Sequence, residues 1–468
     1  MSKTYLAADF GGGSGRIIAG TLRRGADGVT LEMEEVYRFS NRQVRLGDYL
    51  HWDFPALYAD MIEGLHRAAR KGYDIVSVGI DTWGVDFGLI DSLGMLTGNP
   101  VCYRDTHTDH MPEEFFATVD PTAHYAEAGI QVLSINTLFR LLAMKKANDP
   151  KLYIAHHLLF MPDLFSYYLT GVANNEYTIA STSELLDART RDWNRRLIAE
   201  LGLPEKIFGP IVMPGTVRGT LLPHVAEQTG LPESVKVVAV GSHDTQSAVF
   251  ACGGNYSTDR SAFLSSGTWS LFGVELTEPI LTEEASKADF TNEGGVGGTI
   301  NFLQNITGLW ILQRLVDEWH REGLETDYSR LTAMAEEAAD TALIDVDHPC
   351  FQKPEGMAGT ITRYCTEAGL TPPRTQGEYM RCVCRSLAAR YKRAVDQLNT
   401  LLPHPVEKLR IIGGGSNNKL LNRLTAEATG LEVIAGPAEA TAIGNILTQA
   451  LADGTISSKS EITSVIEK

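Results

Sequence analysis

Two turns built of small residues, each set between apolar strand-like runs, constrain this chain more than any other feature. The first is Gly11-Gly12-Gly13-Ser14-Gly15, which follows the run Tyr5–Asp9 and precedes Arg16 and the run Ile17–Leu22. Ile17, Ile18, Ala19, Gly20 and Thr21 are poor helix formers as a group, so the segment reads as a strand–turn–strand hairpin. Its spacing fits neither G-x-G-x-x-G opening a helix nor G-x-x-x-x-G-K-[ST], which excludes a dinucleotide-binding turn and a P-loop. Glycines let backbone amides approach phosphate oxygens. An acid just before them, Asp9, can hold Mg2+ directly or through water. The second hairpin lies about half a chain later. There Ser261–Leu264 and Leu271–Val274 read as strands around Ser265-Ser266-Gly267-Thr268-Trp269-Ser270. Two such hairpins suggest a duplicated domain with a nucleotide clamped between the halves.

With 468 residues the chain is too long for one hydrophobic core, so two domains are expected. The formal net charge of −17 argues against a nucleic-acid or membrane-surface partner, which would want a basic patch. It leaves room for an anionic nucleotide held by local amides. No signal-peptide pattern and no bilayer-length apolar run is seen, so a cytoplasmic protein is expected. The six cysteines show no zinc spacing. Cys350 and Cys365 are close enough in sequence to close a loop, but reduced thiols are expected in the cytoplasm.

Val237–Cys252 reads as a buried strand, a turn through Gly241 and Ser242, and a helix starting near Asp244. A carboxylate at a strand end and helix start sits where α/β proteins place ligands. The helix N-terminus would keep it ionised, able to accept a proton from a substrate hydroxyl. The plainer role for Asp244 is an N-cap. Trp83-Gly84 after the run Asp74–Asp81 suits a sugar, with a flat apolar face and room for close approach, or is a core Trp with a turn glycine. Tyr103-Arg104-Asp105-Thr106 gathers polar groups after the next strand. Helices are expected over Phe54–Lys71, Asn136–Lys146, His156–Leu169 and within Gly377–Leu402. Asn292–Gly298 reads as a glycine-rich turn, and Asn305 either caps the following helix or points into a cleft. A third turn, Gly413-Gly414-Gly415, offers a flat backbone for a base and amides for a phosphate.

Several segments carry a resemblance to a known family: DFGGGSGR (9–16), GIDTWGVDF (79–87), YRDTHT (103–108), SHDT (242–245), LSSGTWSLFG (264–273), TNEGG (291–295), NITGLWILQR (305–314) and IIGGGSNNKLLN (411–422). Together they resemble the FGGY family of carbohydrate kinases, over nearly the whole chain. The resemblance implies an α/β fold of two duplicated actin-like, ribonuclease H-like domains, with the active site in the cleft between them. Residues 1–240 would form the N-terminal domain, on the sugar and phosphate side. Residues 241–468 would form the C-terminal domain, with the nucleotide side and the catalytic base.

By the same resemblance Gly12, Gly13, Ser14, Gly15, Arg16, Thr268, Gln313 and Gly415 match ATP contacts. Gly84, His243, Asp244, Thr245 and Asn305 match ketose contacts, and Asp244 matches the catalytic base. Asp9 would lie on the Mg2+ side. The implied reaction is ATP-dependent phosphorylation of a ketose, L-rhamnulose at its C1 hydroxyl, with L-fuculose or xylulose as the alternative. An actin-like ATPase without a sugar is the rival from another class. A monomer or homodimer is expected. The chain departs from the family at Gly12-Gly13, where many members carry Ala-Ser, and at His107, where Arg is common.

Overall fold

The computed structural model describes residues 2–25, 28–352 and 354–466. The chain packs into two compact units. One gathers the residues up to Gly253, the segment Glu275–Phe302 and the residues from Ala440 on; the other comprises Gly254–Val274 and Leu303–Glu439. The expected single cut between residues 240 and 241 does not follow this packing. The helix Asp244–Phe250 belongs to the first unit, because the helix Ala440–Ala452 returns there and packs on it.

The first unit is built on a six-stranded sheet in the order 217–220, 236–238, 75–82, 2–10, 14–25, 28–40. Strand Ser2–Phe10 pairs antiparallel with Ser14–Gly25, with Asp9 opposite Arg16, and parallel with Ile75–Thr82. The hairpin reading is therefore right. Apolar side chains on strands Ser2–Phe10 and Ile75–Thr82 meet Leu57, Met61 and Leu65 of the helix Phe54–Ala69, all fully buried, in one core. Asp53 caps that helix through Ala56 N, and Pro55 occupies its first turn, where no amide partner is needed. A second core in this unit gathers Phe87, Leu89, Phe139, Leu158 and Trp193.

The segment His156–Leu169 is not one helix. Ala155–Phe160 is a strand antiparallel to Phe87–Asp91, and the helix runs over Met161–Thr170. Leu158, Leu159 and Phe160 are fully buried, and Pro162 is compatible only with the first turn of that helix.

In the second unit the strands run in the order 300–307, 269–276, 261–266, 408–412, 432–435. Strands Ser261–Ser266 and Trp269–Leu276 form the expected second hairpin. The helix Gln376–Leu401 opens with a Thr375/Glu378 capping box and buries Val383, Leu387, Tyr391, Ala394 and Leu398. Asn305 caps no helix: it lies in the strand Ile300–Thr307, and the next helix, Trp310–Glu322, begins after Leu309. Asn292–Gly298 is turn only in its second half, since Thr291–Gly294 is a strand. All six cysteines are free thiols. Among the described residues no helix is long and apolar enough to cross a membrane.

Candidate active site

The first glycine turn is held by its own backbone. Gly11 N donates to Ser14 O at 3.0 Å and Asn41 N to Gly13 O at 3.1 Å, which leaves the amides of Gly12 and Gly13 outside those bonds. None of the turn glycines has a positive φ. Their need is space. A Cβ on Gly15 would overlap the Phe39 ring, and one on Gly12 would lie 3.0 Å from Tyr103 Oη. A Cβ on Gly13 would meet nothing within 4 Å. Nothing among the described residues therefore explains the bare backbone at Gly13, whereas an approaching phosphate would. Beside this turn Arg16 donates through Nε and Nη2 to Asp9 Oδ2, at 3.0 and 2.8 Å.

The Asp244 loop is fixed from three sides. Thr82 N donates to Ser242 O at 2.9 Å, Ser242 N to Glu176 Oε2 at 3.2 Å, and His243 N to Thr178 Oγ1 at 3.2 Å. His243 occupies the N-cap position and makes no side-chain cap bond; Asp244 is the first helical residue. Asp244 is thus not a cap. Its Oδ1 accepts from Thr245 N at 2.6 Å and Thr245 Oγ1 at 3.3 Å, while 29% of its side chain stays exposed. Burial pushes the Asp244 carboxyl above its usual range, and the Asp9 carboxylate adds to this against the opposing pull of His243. Asp244 opens a helix as expected, but burial works against its charged form.

Behind Asp244 stands a chain of buried polar groups that includes residues not singled out from the sequence. His243 Nδ1 lies 2.9 Å from Glu293 Oε2, and His243 Nε2 lies 3.6 Å from Asp244 Oδ1. Gln246 Nε2 donates to Glu293 Oε2 at 2.7 Å, and Asn301 Nδ2 donates to Gln246 Oε1. Burial alone would push the His243 imidazole down, but the carboxylates of Glu293, Asp244 and Glu176 together turn the net direction up. A carboxylate on Nδ1 makes that nitrogen the N–H donor, so Nε2 is the nitrogen turned to Asp244. Glu293 was visible only as the acid of TNEGG, with its partner half a hundred residues away.

Gly84 lies beside this loop, since Thr82 bridges His243, and a Cβ on Gly84 would reach the Thr182 side chain at 3.4 Å. Trp83 takes its plainer role: it is 5% exposed and packs on Trp52 with ring centroids 4.1 Å apart. Phe87 is equally buried in the second core. The centre here is Asp86, fully buried, which accepts from Trp52 Nε1 at 2.5 Å, Trp83 Nε1 at 2.8 Å and Tyr103 N at 3.2 Å, and pairs with Arg140. Val85 between them has φ 64°, a conformation β-branched residues rarely adopt. Thr182 Oγ1 accepts from its amide at 3.1 Å and Thr137 Oγ1 donates to its carbonyl at 2.7 Å, which over-determines the strained turn.

In the second unit Thr268 Oγ1 donates to Gln313 Oε1 at 3.1 Å. Leu309 N and Trp310 N donate to Gly267 O and Thr268 O, at 2.8 and 3.2 Å, which ties the hairpin tip to the helix start. Gly415 packs on Ser266, two residues before Thr268, where a Cβ would not fit; Gly414 beside it is open. Thr268, Gln313 and Gly415 therefore gather around one hairpin. Asn305 belongs to this second unit, whereas Gly84, His243, Asp244 and Thr245 belong to the first.

Among the described residues no group of three or more His, Cys, Asp or Glu is spaced to cage a metal. Asp9 and Asp244 nevertheless act on Asp81, whose carboxyl burial pushes well above its usual range. Asp81 Oδ2 accepts from Asn445 at 2.5 Å, while its buried Oδ1 has no hydrogen-bond partner among the described residues. One or two carboxylates of this kind fit Mg2+, which keeps waters and takes its remaining oxygens from phosphate.

Residues 4–251 match the profile of the N-terminal domain of the FGGY family of carbohydrate kinases, and residues 262–452 that of its C-terminal domain. The chain belongs to the FGGY family of carbohydrate kinases. Within that family it is 44% identical over 456 residues to the rhamnulokinase of Bacteroides thetaiotaomicron, covering 97% of this chain and 92% of that protein. It is 39% identical to the rhamnulokinase of Oceanobacillus iheyensis, covering 100% of this chain and 97% of that one. The fold is similar to the crystal structure of gluconate kinase from Lactobacillus acidophilus, with TM-score 0.81 at 13% identity over 99% of this chain and 92% of the other. It is similar as well to Plasmodium falciparum glycerol kinase with ADP, with TM-score 0.79 at 14% identity over 100% and 92%. The two-domain α/β architecture of an FGGY sugar kinase is thus this chain's fold.

Proposed function

We propose that this chain phosphorylates L-rhamnulose at its C1 hydroxyl with ATP, giving L-rhamnulose 1-phosphate and ADP. The observation that carries the reading is the near full-length likeness to rhamnulokinases, joined to a partly open carboxylate, Asp244, set among buried polar groups. Asp244 accepts the proton of the C1 hydroxyl as the oxygen attacks the terminal phosphorus. Its raised pKa makes it a better proton acceptor than an exposed aspartate, and it remains ionised above that raised value. His243 Nε2 lies on one side of Asp244 and orients the same hydroxyl; Thr245 fixes the carboxylate oxygen that does not act.

The bare backbone at Gly12 and Gly13, with Ser14 to Arg16, cradles the phosphates, and Thr268, Gln313 and Gly415 hold the nucleotide. Asp9 and Asp81 would hold Mg2+, which would supply charge neutralisation at the phosphate oxygens. ATP chemistry fits a cytoplasmic setting. A coupled assay over a ketose panel tests the reading, with carbon–phosphorus NMR coupling locating the phosphate. L-rhamnulose should give the highest kcat/KM, with phosphate on C1. A clear preference for L-fuculose or xylulose would leave the family intact and overturn the substrate; ATP turnover indifferent to any ketose would overturn the reaction.

A further inference from the structure

Tyr103 and Arg104 close over the first glycine turn. Tyr103 is anchored through its amide to Asp86 at 3.2 Å and through its ring to Trp52, at a centroid distance of 6.3 Å. The Arg104 guanidinium lies over the Tyr103 ring, its Cζ 5.4 Å from the centroid, and its Nε donates to Tyr103 Oη at 3.2 Å. That places Arg104 Nη2 3.4 Å from where a Cβ of Gly12 would stand. Arg104 is exposed, and among the described residues it has no carboxylate partner.

Arg16 and Arg140 differ. Arg16 is bound to Asp9 and Arg140 to Asp86, so the positive charge of each is already answered. In a chain of net charge −17, one guanidinium without a carboxylate partner is held beside Gly12, next to Gly13, whose open backbone has no explanation among the described residues. A planar fork of N–H donors there matches the oxygens of a phosphoryl group.

We propose that Arg104 is a catalytic residue that donates to the oxygens of the terminal phosphoryl group over Gly12 and Gly13 and neutralises their charge during transfer. The proposal rests on the kinase reading above. In the step, the ketose hydroxyl oxygen forms a bond to the terminal phosphorus. The bond from that phosphorus to the bridging oxygen breaks, and ADP leaves with its electron pair. The hydroxyl proton passes to Asp244. Arg104 makes and breaks no covalent bond.

The test compares R104M and R104K with the unsubstituted protein. R104M should lower kcat by about 10²–10³-fold, the usual cost of removing one charge-stabilising donor. R104K should recover part of that loss, and millimolar guanidinium should partly rescue an R104A variant. Calorimetry without ketose gives the second readout: R104M should weaken binding of a non-hydrolysable ATP analogue and leave ADP unchanged. Near-normal kcat in R104M, an equal loss of affinity for ADP and the analogue, or a rise confined to the ketose KM would each overturn the assignment. The calorimetric contrast needs no sugar, so a wrong ketose would show in the substrate panel and leave it untouched.

Discussion

The two glycine-turn hairpins have the same outline and opposite chemistry. The first, Asp9–Arg16, is surrounded by charge: Asp9 pairs with Arg16 and acts on the carboxyls of Asp81 and Asp244, and Arg104 lies beside Gly12. The second, Ser265–Ser270, is neutral. Its tip is fixed by a Thr268–Gln313 hydrogen bond and two backbone bonds to the start of a helix. Its close glycine, Gly308, answers packing, since a Cβ there would overlap the backbone of Gly267, Trp269 and Ser270. A single fold element thus serves once to manage charge and once to set a position. Phosphoryl transfer depends on both, but charge neutralisation carries the larger share of the rate.

If that contrast holds, substitutions on the charged side should cost most. Asp244→Asn keeps the shape and removes the proton acceptor, so kcat should fall by roughly 10²–10⁴-fold with ketose affinity changed less. Steady-state kinetics with near-normal kcat would break the comparison at its strongest point. Next, Gly13→Val fills open space and should weaken ATP binding by about tenfold or more, because charge-assisted amide–phosphate bonds are lost. Its melting temperature should stay unchanged. Gly12→Val should lose stability as well, since its side chain meets Tyr103 and Arg104.

Glu293→Gln keeps a hydrogen bond to His243 and removes the charge, which should cost about tenfold in kcat. Nitrogen NMR should then find the His243 imidazole easier to deprotonate; an unchanged titration would mean that Glu293 is only packing. On the neutral side Thr268→Val removes one uncharged bond, worth about 1 kcal/mol, and should raise the ATP KM roughly fivefold. A loss there as large as that of Asp244→Asn would erase the distinction. The smallest effect is a displacement of pH dependence. The proposed base, Asp244, would work ionised, so kcat/KM should rise through its pKa, which Asp9 helps to raise. Asp9→Asn should therefore move the acid limb to lower pH; a shift upward would contradict the geometry.

Local patterns were readable in the sequence where neighbours in the chain decide the outcome. Both hairpins, the helix behind Leu57, Met61 and Leu65, and the long helix through Tyr391 follow from periodicity and turn residues. Residues His156–Phe160 read as helix because Leu158, Leu159 and Phe160 run directly into a true helix. What makes it a strand is its partner Phe87–Asp91, distant in sequence. The same distance hid the most connected polar groups. Asp86 collects bonds from Trp52, Tyr103 and Arg140, and Glu293 from His243 and Gln246, and no local motif announces either. Sequence leaves Trp83 open between a sugar face and a core position, because a Trp beside a Gly has one appearance whether its ring faces a ligand or Trp52.

The return of the helix Ala440–Ala452 to the first unit has a consequence for how the protein comes off the ribosome. Asn445 bonds Asp81, and Gln449 bonds Ser77 Oγ at 2.6 Å and Leu6 O at 3.0 Å, beside Gly79, which has no side chain and leaves the helix room. Asp81 and Asn445 are 364 residues apart. At about 5–20 residues per second, roughly 20–70 s of translation separate them. From Val238, where the last strand of the first sheet ends, until that helix is made, the sheet is complete in sequence but uncovered on the face that the helix will fill. Nascent chains released short of Ala440 would keep it bare, with an aspartate and a carbonyl waiting for donors that never arrive.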